Sequence, residues 1–220
     1  MEGAEAVNPW LVVPTLGNRD ASLLPLLDGA GMPAVVVCTG PASPQRYRAH
    51  ADQSGRAGRV QAFAARGMNI HKWWNDGIDL AVDRGADCVV VVNDDVAAAP
   101  GALLELAAHI EAGEPAAPML VWPDDPEHGK GRVTSMTGWC WAIDPHRIRP
   151  DEAFQWWYGD NDLELRARAM RPDSGVRAVE GLDVKHLRTD WTYDRPVSHL
   201  IAEDTRLFRS RYPDLMGGVA

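Results

Sequence analysis

The chain has 220 residues, 45% hydrophobic and 24% charged, with 22 Lys and Arg against 31 Asp and Glu for a net charge of −9. That length suits one domain with a sizeable core, and the balance of residue classes excludes a mostly disordered or fibrous chain. The acidic excess removes the basic footprint of a nucleic-acid binder and any attraction to anionic membranes.

The opening MEGAEAVNPW has no apolar core of a secretion signal. Residues 7–14 (VNPWLVVP) read as a first strand. Asp20 can cap a short helix, SLLPLLDG, that stops near Gly29 and Gly31. AVVVC (34–38) is a continuous, β-branched apolar run, the mark of a strand buried on both faces. Residues 45–69 are polar and irregular, with weak strand content near RVQAFAA. From Trp73 to Arg84 the apolar spacing is helical, and Gly85 closes that helix. CVVVV (88–92) is a second buried strand and runs straight into Asn93, Asp94 and Asp95. Both apolar runs are far too short to span a membrane. Pro100 opens an amphipathic helix to Ile110. Beyond a polar loop (123–132), residues 132–143 are strand-like, 160–170 helical, and 200–211 a final short helix. Strand–helix alternation of this kind predicts an α/β fold with a mostly parallel sheet, whose ligands bind beyond the carboxyl ends of the strands.

Two acidic clusters stand out, because no P-loop, dinucleotide fingerprint or H-E-x-x-H occurs. Asn93-Asp94-Asp95 follows a buried strand. It reads either as a solvated turn or as a site for Mg²⁺ or Mn²⁺, which take carboxylate oxygens together with substrate phosphates. Asp160 and Asp162 open a helix just after Trp156, Trp157 and Tyr158. They read either as helix caps or as a general base beside an aromatic sugar platform. His186 ends a strand-like stretch, VEGLDVKH. It is either structural or a second metal ligand. Trp73, Trp74, Trp139 and Trp141 read as core, and Trp156 and Trp157 as the better platform. Three cysteines without metal-type spacing suit a reducing cytosol.

In this order and spacing the chain resembles the GT-A glycosyltransferases, in particular the family 2-like, nucleotide-sugar-dependent enzymes. VVPTLGNRD is similar to their opening strand and nucleobase loop. NDGIDLAVDRGADCVVVVNDDV resembles the stretch ending in their metal motif. TGWCWAI resembles the acceptor-side strand, and YGDNDLELRARAM the segment carrying the base. Val184 and His186 with Asp204, Phe208 and Tyr212 complete the order, so the resemblance covers about residues 8–212. It departs at Asn93, which stands for an acid, at Cys38-Thr39-Gly40, where an Asp is frequent, and at Gly159, where a Glu is usual.

The resemblance implies one GT-A-like domain, with a nucleotide-binding half (about 7–96), an acceptor half (about 97–186) and a C-terminal lid and helix (about 187–220). It implies a metal-dependent, inverting transfer of sugar from a nucleotide-diphosphate donor to a glycan, protein or lipid-linked acceptor, with no transmembrane segment. Asp160 would be the base; Asp95 and His186 would hold Mn²⁺ or Mg²⁺. Pro14, Thr15, Asn18, Arg19, Thr39, Asn75, Asn93, Asp94, Gly138, Trp139, Trp157, Asp162 and Arg188 would contact substrate or nucleotide. Residues 187–199 would form a lid, with Arg188 on the diphosphate and Trp191 over the donor. The expected compartment is the cytoplasm, that of a host if the chain is phage-encoded. Two other readings share the acidic sites: a sugar-phosphate nucleotidyltransferase, and an inactive carbohydrate-binding protein of the same shape.

Overall fold

A computed structural model describes residues 7–110, 117–125, 134–187 and 197–216. In chain order the first half runs β1 (Pro9–Thr15), α1 (Asp20–Gly29), β2 (Ala34–Cys38), α2 (Pro44–Gln53), β3 (Val60–Ala64), α3 (Ile70–Val82) and β4 (Cys88–Val92). The second half runs β5 (Val96–Ala98), α4 (Ala102–Ala107), β6 (Leu120–Pro123), β7 (Cys140–Ile143), α5 (Gly159–Met170), β8 (Val176–Val179), β9 (Val184–His186), α6 (Ser198–Arg211) and α7 (Pro213–Met216).

Seven strands form one sheet in the order β3-β2-β1-β4-β7-β6-β8. The pairs among β3, β2, β1 and β4 are parallel; β7 runs antiparallel to both of its neighbours. This is the mostly parallel α/β sheet expected from the sequence. Its strands are continuous apolar runs because both faces are covered. Leu11, Val13, Val36 and Val90 pack with Leu23, Tyr47 and Leu106 on one side; Val12, Val37 and Val91 pack with Trp74, Ile78 and Leu163 on the other. Gly77 shows how close α3 lies: a Cβ there would stand 2.5 Å from Val12 Cγ1.

The irregular stretch predicted at 45–69 is mostly ordered. It holds α2, opened by Pro44 at its first turn, and β3. Only Tyr47 and Ala51 of α2 are buried, four residues apart, so the apolar signal is a single pair. Asp20 is not a cap; it is the first residue of α1, its carboxylate receiving the Tyr47 hydroxyl at 3.0 Å and pairing with Arg46. The strand expected at 132–143 is short, Cys140–Ile143, and β6 is an additional strand.

Two connections shape one edge of the sheet. Because β7 is antiparallel to β4, with Val92 opposite Cys140, the chain enters β7 where β4 ends. A small two-stranded sheet pairs β5 with β9 and sets Val96 opposite His186.

Candidate active site

β4 ends inside the protein and releases three polar residues at the sheet edge. Asn93 is tied there by its N–H to the Trp139 carbonyl at 2.9 Å. Its Oδ1 is buried and has no hydrogen-bond partner among the described residues. Asp94 turns toward β1, where the Thr15 hydroxyl donates to Oδ2 at 2.7 Å; the Ser22 hydroxyl donates to its carbonyl at 2.5 Å. Burial raises the Asp94 pKa, and the neighbouring Asp95 adds to the rise against the Thr15 hydrogen bond and Arg19. Asp95 faces the other way: Oδ1 lies 3.3 Å from His186 Nε2, and its carbonyl accepts the Leu187 N–H at 2.9 Å. The β5–β9 pairing thus joins two residues 91 positions apart in sequence. His186 is fixed from its other side by stacking on Trp139, centroids 5.5 Å apart and planes within 5°.

A cleft of about 610 Å³, counting its open mouth, lies over these strand ends. Pro14, Thr15, Asn18, Arg19, Thr39, Asn93, Asp94 and Asp95 all border it. Thr39, at the end of β2, donates its hydroxyl to the Thr15 carbonyl at 3.0 Å and so locks the two loop starts together. An apolar stretch of the lining holds Ile70 and Trp73 from α3, and Trp156, whose ring meets that of Trp73 edge-on at 6.1 Å. Neither Trp73 nor Ile70 is a sequence-predicted site residue. Trp73 is 2% exposed, so helical spacing marks it as core while its edge still walls the cleft. Trp156 rather than its neighbour Trp157 borders the cleft; Trp157 is exposed.

The second acidic cluster opens α5, and its two acids have different surroundings. Asp160 lies against Gly138, whose hypothetical Cβ would be 3.2 Å from Oδ2. The Asn161 N–H donates to Oδ1 at 2.9 Å. Burial raises the Asp160 pKa despite the backbone N–H groups of Asn161, Asp160 and Gly138 around the carboxylate. Asp162 turns inward and is 0% exposed. It accepts Arg166 Nε at 2.7 Å, and Arg211 Nη1 and the Tyr212 hydroxyl at 2.9 Å each. The substrate contact expected of Asp162 is therefore corrected: its oxygens hold α5 to α6. Asn75 is likewise outside the cleft lining. Its Nδ2 donates to the Pro150 carbonyl at 3.0 Å and to Glu152 at 3.1 Å. Arg188 and most of the expected lid, including Trp191, lie outside the described residues.

Asp204, on α6, fixes the aromatic approach to α5. Its two oxygens accept the N–H groups of Gln155 (3.0 Å), Trp156 and Trp157 (2.7 Å each). Glu164 does the same for residues 135 and 136, accepting their N–H groups at 2.9 and 2.7 Å. The resemblance marks Asp204 in the sequence, but neither its spacing nor that of Glu164 signals that the carboxylate clamps backbone N–H groups.

No protein-family model and no curated protein matches this sequence. Solved structures do share its fold. The crystal structure of glucosyl-3-phosphoglycerate synthase from Mycobacterium tuberculosis, in complex with Mg²⁺ and uridine diphosphate, superposes with a TM-score of 0.60 at 16% identity, covering 95% of this chain and 79% of that one. GalNAc-T7 with UDP, GalNAc and Mn²⁺ gives a TM-score of 0.60 at 13% identity, covering 83% of this chain and 44% of that one. The chain has the GT-A fold that its motif order implies.

Proposed function

We propose that the protein is a divalent-metal-dependent glycosyltransferase that moves a sugar from a nucleotide-diphosphate sugar to an acceptor hydroxyl, with inversion. One observation carries this reading. Asp95 with His186, and Asp160 beside Gly138, are gathered at one edge of the sheet by the adjoining strands β4 and β7. The fold shared with UDP-bound, Mg²⁺- or Mn²⁺-bound glycosyltransferases supports it. In this reading residues 7–96 bind the nucleotide and 97–186 the acceptor. The chain works in the cytoplasm, which suits three buried free cysteines.

The nucleoside enters the cleft between the Pro14–Arg19 loop, Thr39 and the Trp73–Trp156 wall. Asn93 Oδ1, a buried acceptor without a partner among the described residues, receives a ribose hydroxyl. Asp95 and His186 offer one carboxylate and one imidazole, a donor set that fits Mg²⁺ or Mn²⁺ completed by phosphate oxygens and water. Asp95 and His186 would hold the ion where it would neutralise charge developing on the diphosphate leaving group. Trp139 and the β5–β9 pairing hold the His186 ring in place. Asp160 takes the proton of the acceptor hydroxyl as its oxygen bonds the anomeric carbon and the bond from that carbon to phosphate breaks. A carboxylate whose pKa is raised by burial is a stronger base than one in water. The acceptor hydroxyl belongs to a glycan, a protein or a lipid-linked sugar, and Arg188 supplies a cation to the diphosphate.

The test is turnover of UDP-, GDP- and dTDP-sugars with Mn²⁺, compared with Asp160→Asn. Wild-type turnover with a loss of about 10²–10⁴-fold in the variant, at unchanged donor affinity, is the expected result. No turnover of any donor, or an active Asp160→Asn, contradicts it.

A further inference from the structure

Gly159, the residue before Asp160, has its backbone φ outside the left-handed region. Glycine is there for space. A Cβ at this position would lie 1.9 Å from Nε2 of His71, a residue of α3 that is 1% exposed. The imidazole thus fills the volume that a side chain at 159 would take. Its other nitrogen, Nδ1, is 2.9 Å from the Phe154 carbonyl. Burial lowers the His71 pKa to about 4, so the ring is neutral near pH 7, and Nδ1 carries the proton given to Phe154.

His71 is the middle of a seam. The Ile70 N–H donates to the Gln155 carbonyl at 2.8 Å, and Asn69 Nδ2 to the Glu152 carbonyl at 3.0 Å. One turn of α3 therefore grips residues 152–155 while Ile70 and Trp73 of that same turn wall the cleft. The seam ends at Tyr158, the one non-glycine residue with positive φ (61°) among those described. Its ring stacks on Phe208 at 4.6 Å. A strained residue just before the first turn of α5 persists only where its surroundings hold it.

We propose that His71 is a positioning residue: wedged against Gly159 and bonded to Phe154, it sets the first turn of α5 and hence the carboxylate of Asp160. This rests on the reading of Asp160 as base. Gly159→Ala drives a methyl into the ring and displaces Asp160, while the cleft lining stays in place. His71→Asn keeps an N–H donor for Phe154 and vacates the space at 159.

The experiment is a double-mutant cycle on kcat and on donor Kd, with melting temperatures recorded and assays run well below them. Gly159→Ala is expected to lower kcat about 10²-fold, as a displacement on the order of 1 Å does, with donor Kd within about threefold. The double variant His71→Asn/Gly159→Ala recovers at least tenfold of that loss, because the methyl then fits. Wild-type kcat in Gly159→Ala, additive losses in the cycle, or equal losses in kcat and donor affinity overturn the proposal. Asp160→Asn separates the two readings: if it stays active, Asp160 is not the base, whatever the cycle shows. A wild-type chain inactive on every donor contradicts both.

Discussion

Buried carboxylates at single positions carry much of this structure. Asp204 satisfies three backbone N–H groups at once, and removal would leave all three without acceptors. Asp204→Ala is expected to cost about 3 kcal/mol in denaturant unfolding, the scale of losing charge-assisted hydrogen bonds in a buried place. Trp156 loses its anchor in the same variant, so donor affinity falls as well. His71 gives a pH signature. Its pKa is about 4 folded and near 6.5 unfolded, so the unfolded chain binds more protons between those values. Stability then rises with pH from about 4 to about 6.5 and is lost on acidification through that window. Integrated over that window, this histidine accounts for about 3 kcal/mol of the change in stability. Chemical denaturation of wild type and His71→Asn across pH 4–7 should show the slope reduced in the variant; equal slopes would deny the buried neutral ring. Spacing alone could not separate Asp160 from Asp162; only the resemblance assigned the base to Asp160. Two residues apart on a helix lie about 200° apart, so one faces inward and the other outward, but spacing does not say which. The three donors that surround Asp162 come from later positions, Arg166, Arg211 and Tyr212.

Among elements, the strands buried on both faces were legible because their residue type leaves little choice. AVVVC and CVVVV are β2 and β4 to the residue. α3 was legible by its spacing, although its true start lies earlier, where Asn69 Oδ1 receives the Lys72 N–H at 2.9 Å. α2 escaped because a helix with only two buried residues lacks a stripe. β9 was legible as a strand-like stretch, but its partner β5 is three residues long, below any periodic signal. That pairing is what delivers His186 to Asp95. The fit of α3 on the sheet is the tightest prediction at this scale. Gly77→Ala places its Cβ 2.5 Å from Val12 and 3.0 Å from Val37, both fully buried core residues. Overpacking should cost about 1–3 kcal/mol in equilibrium unfolding. Because α3 also walls the cleft, donor Kd should weaken in parallel; an unaffected melting temperature would show that the helix can shift freely.

At the scale of the molecule, a chain of net charge −9 proposed to bind a diphosphate must offset repulsion. Arg19 borders the cleft, but two aspartates border it too. Among the described residues no group of three or more His, Cys, Asp or Glu forms a complete metal cage. Asp95 and His186 offer one carboxylate and one imidazole, and Mg²⁺ takes few protein ligands beside substrate phosphates and water, so the pair suits an ion shared with phosphates. Metal and nucleotide should accordingly bind together, each weakly alone, as linkage between two ligands of one site requires. No described helix is long and apolar enough to cross a membrane. Asp95 and His186, beyond the end of β4, are proposed to hold the ion that holds the donor. Isothermal titration of UDP, GDP and dTDP into wild type and Asp95→Asn, each with Mn²⁺ and with EDTA, tests this most directly. At least one nucleotide is expected to bind wild type only with Mn²⁺, and Asp95→Asn to lose this binding at an unchanged melting temperature. Binding of equal affinity in EDTA, or in Asp95→Asn with Mn²⁺, would contradict it.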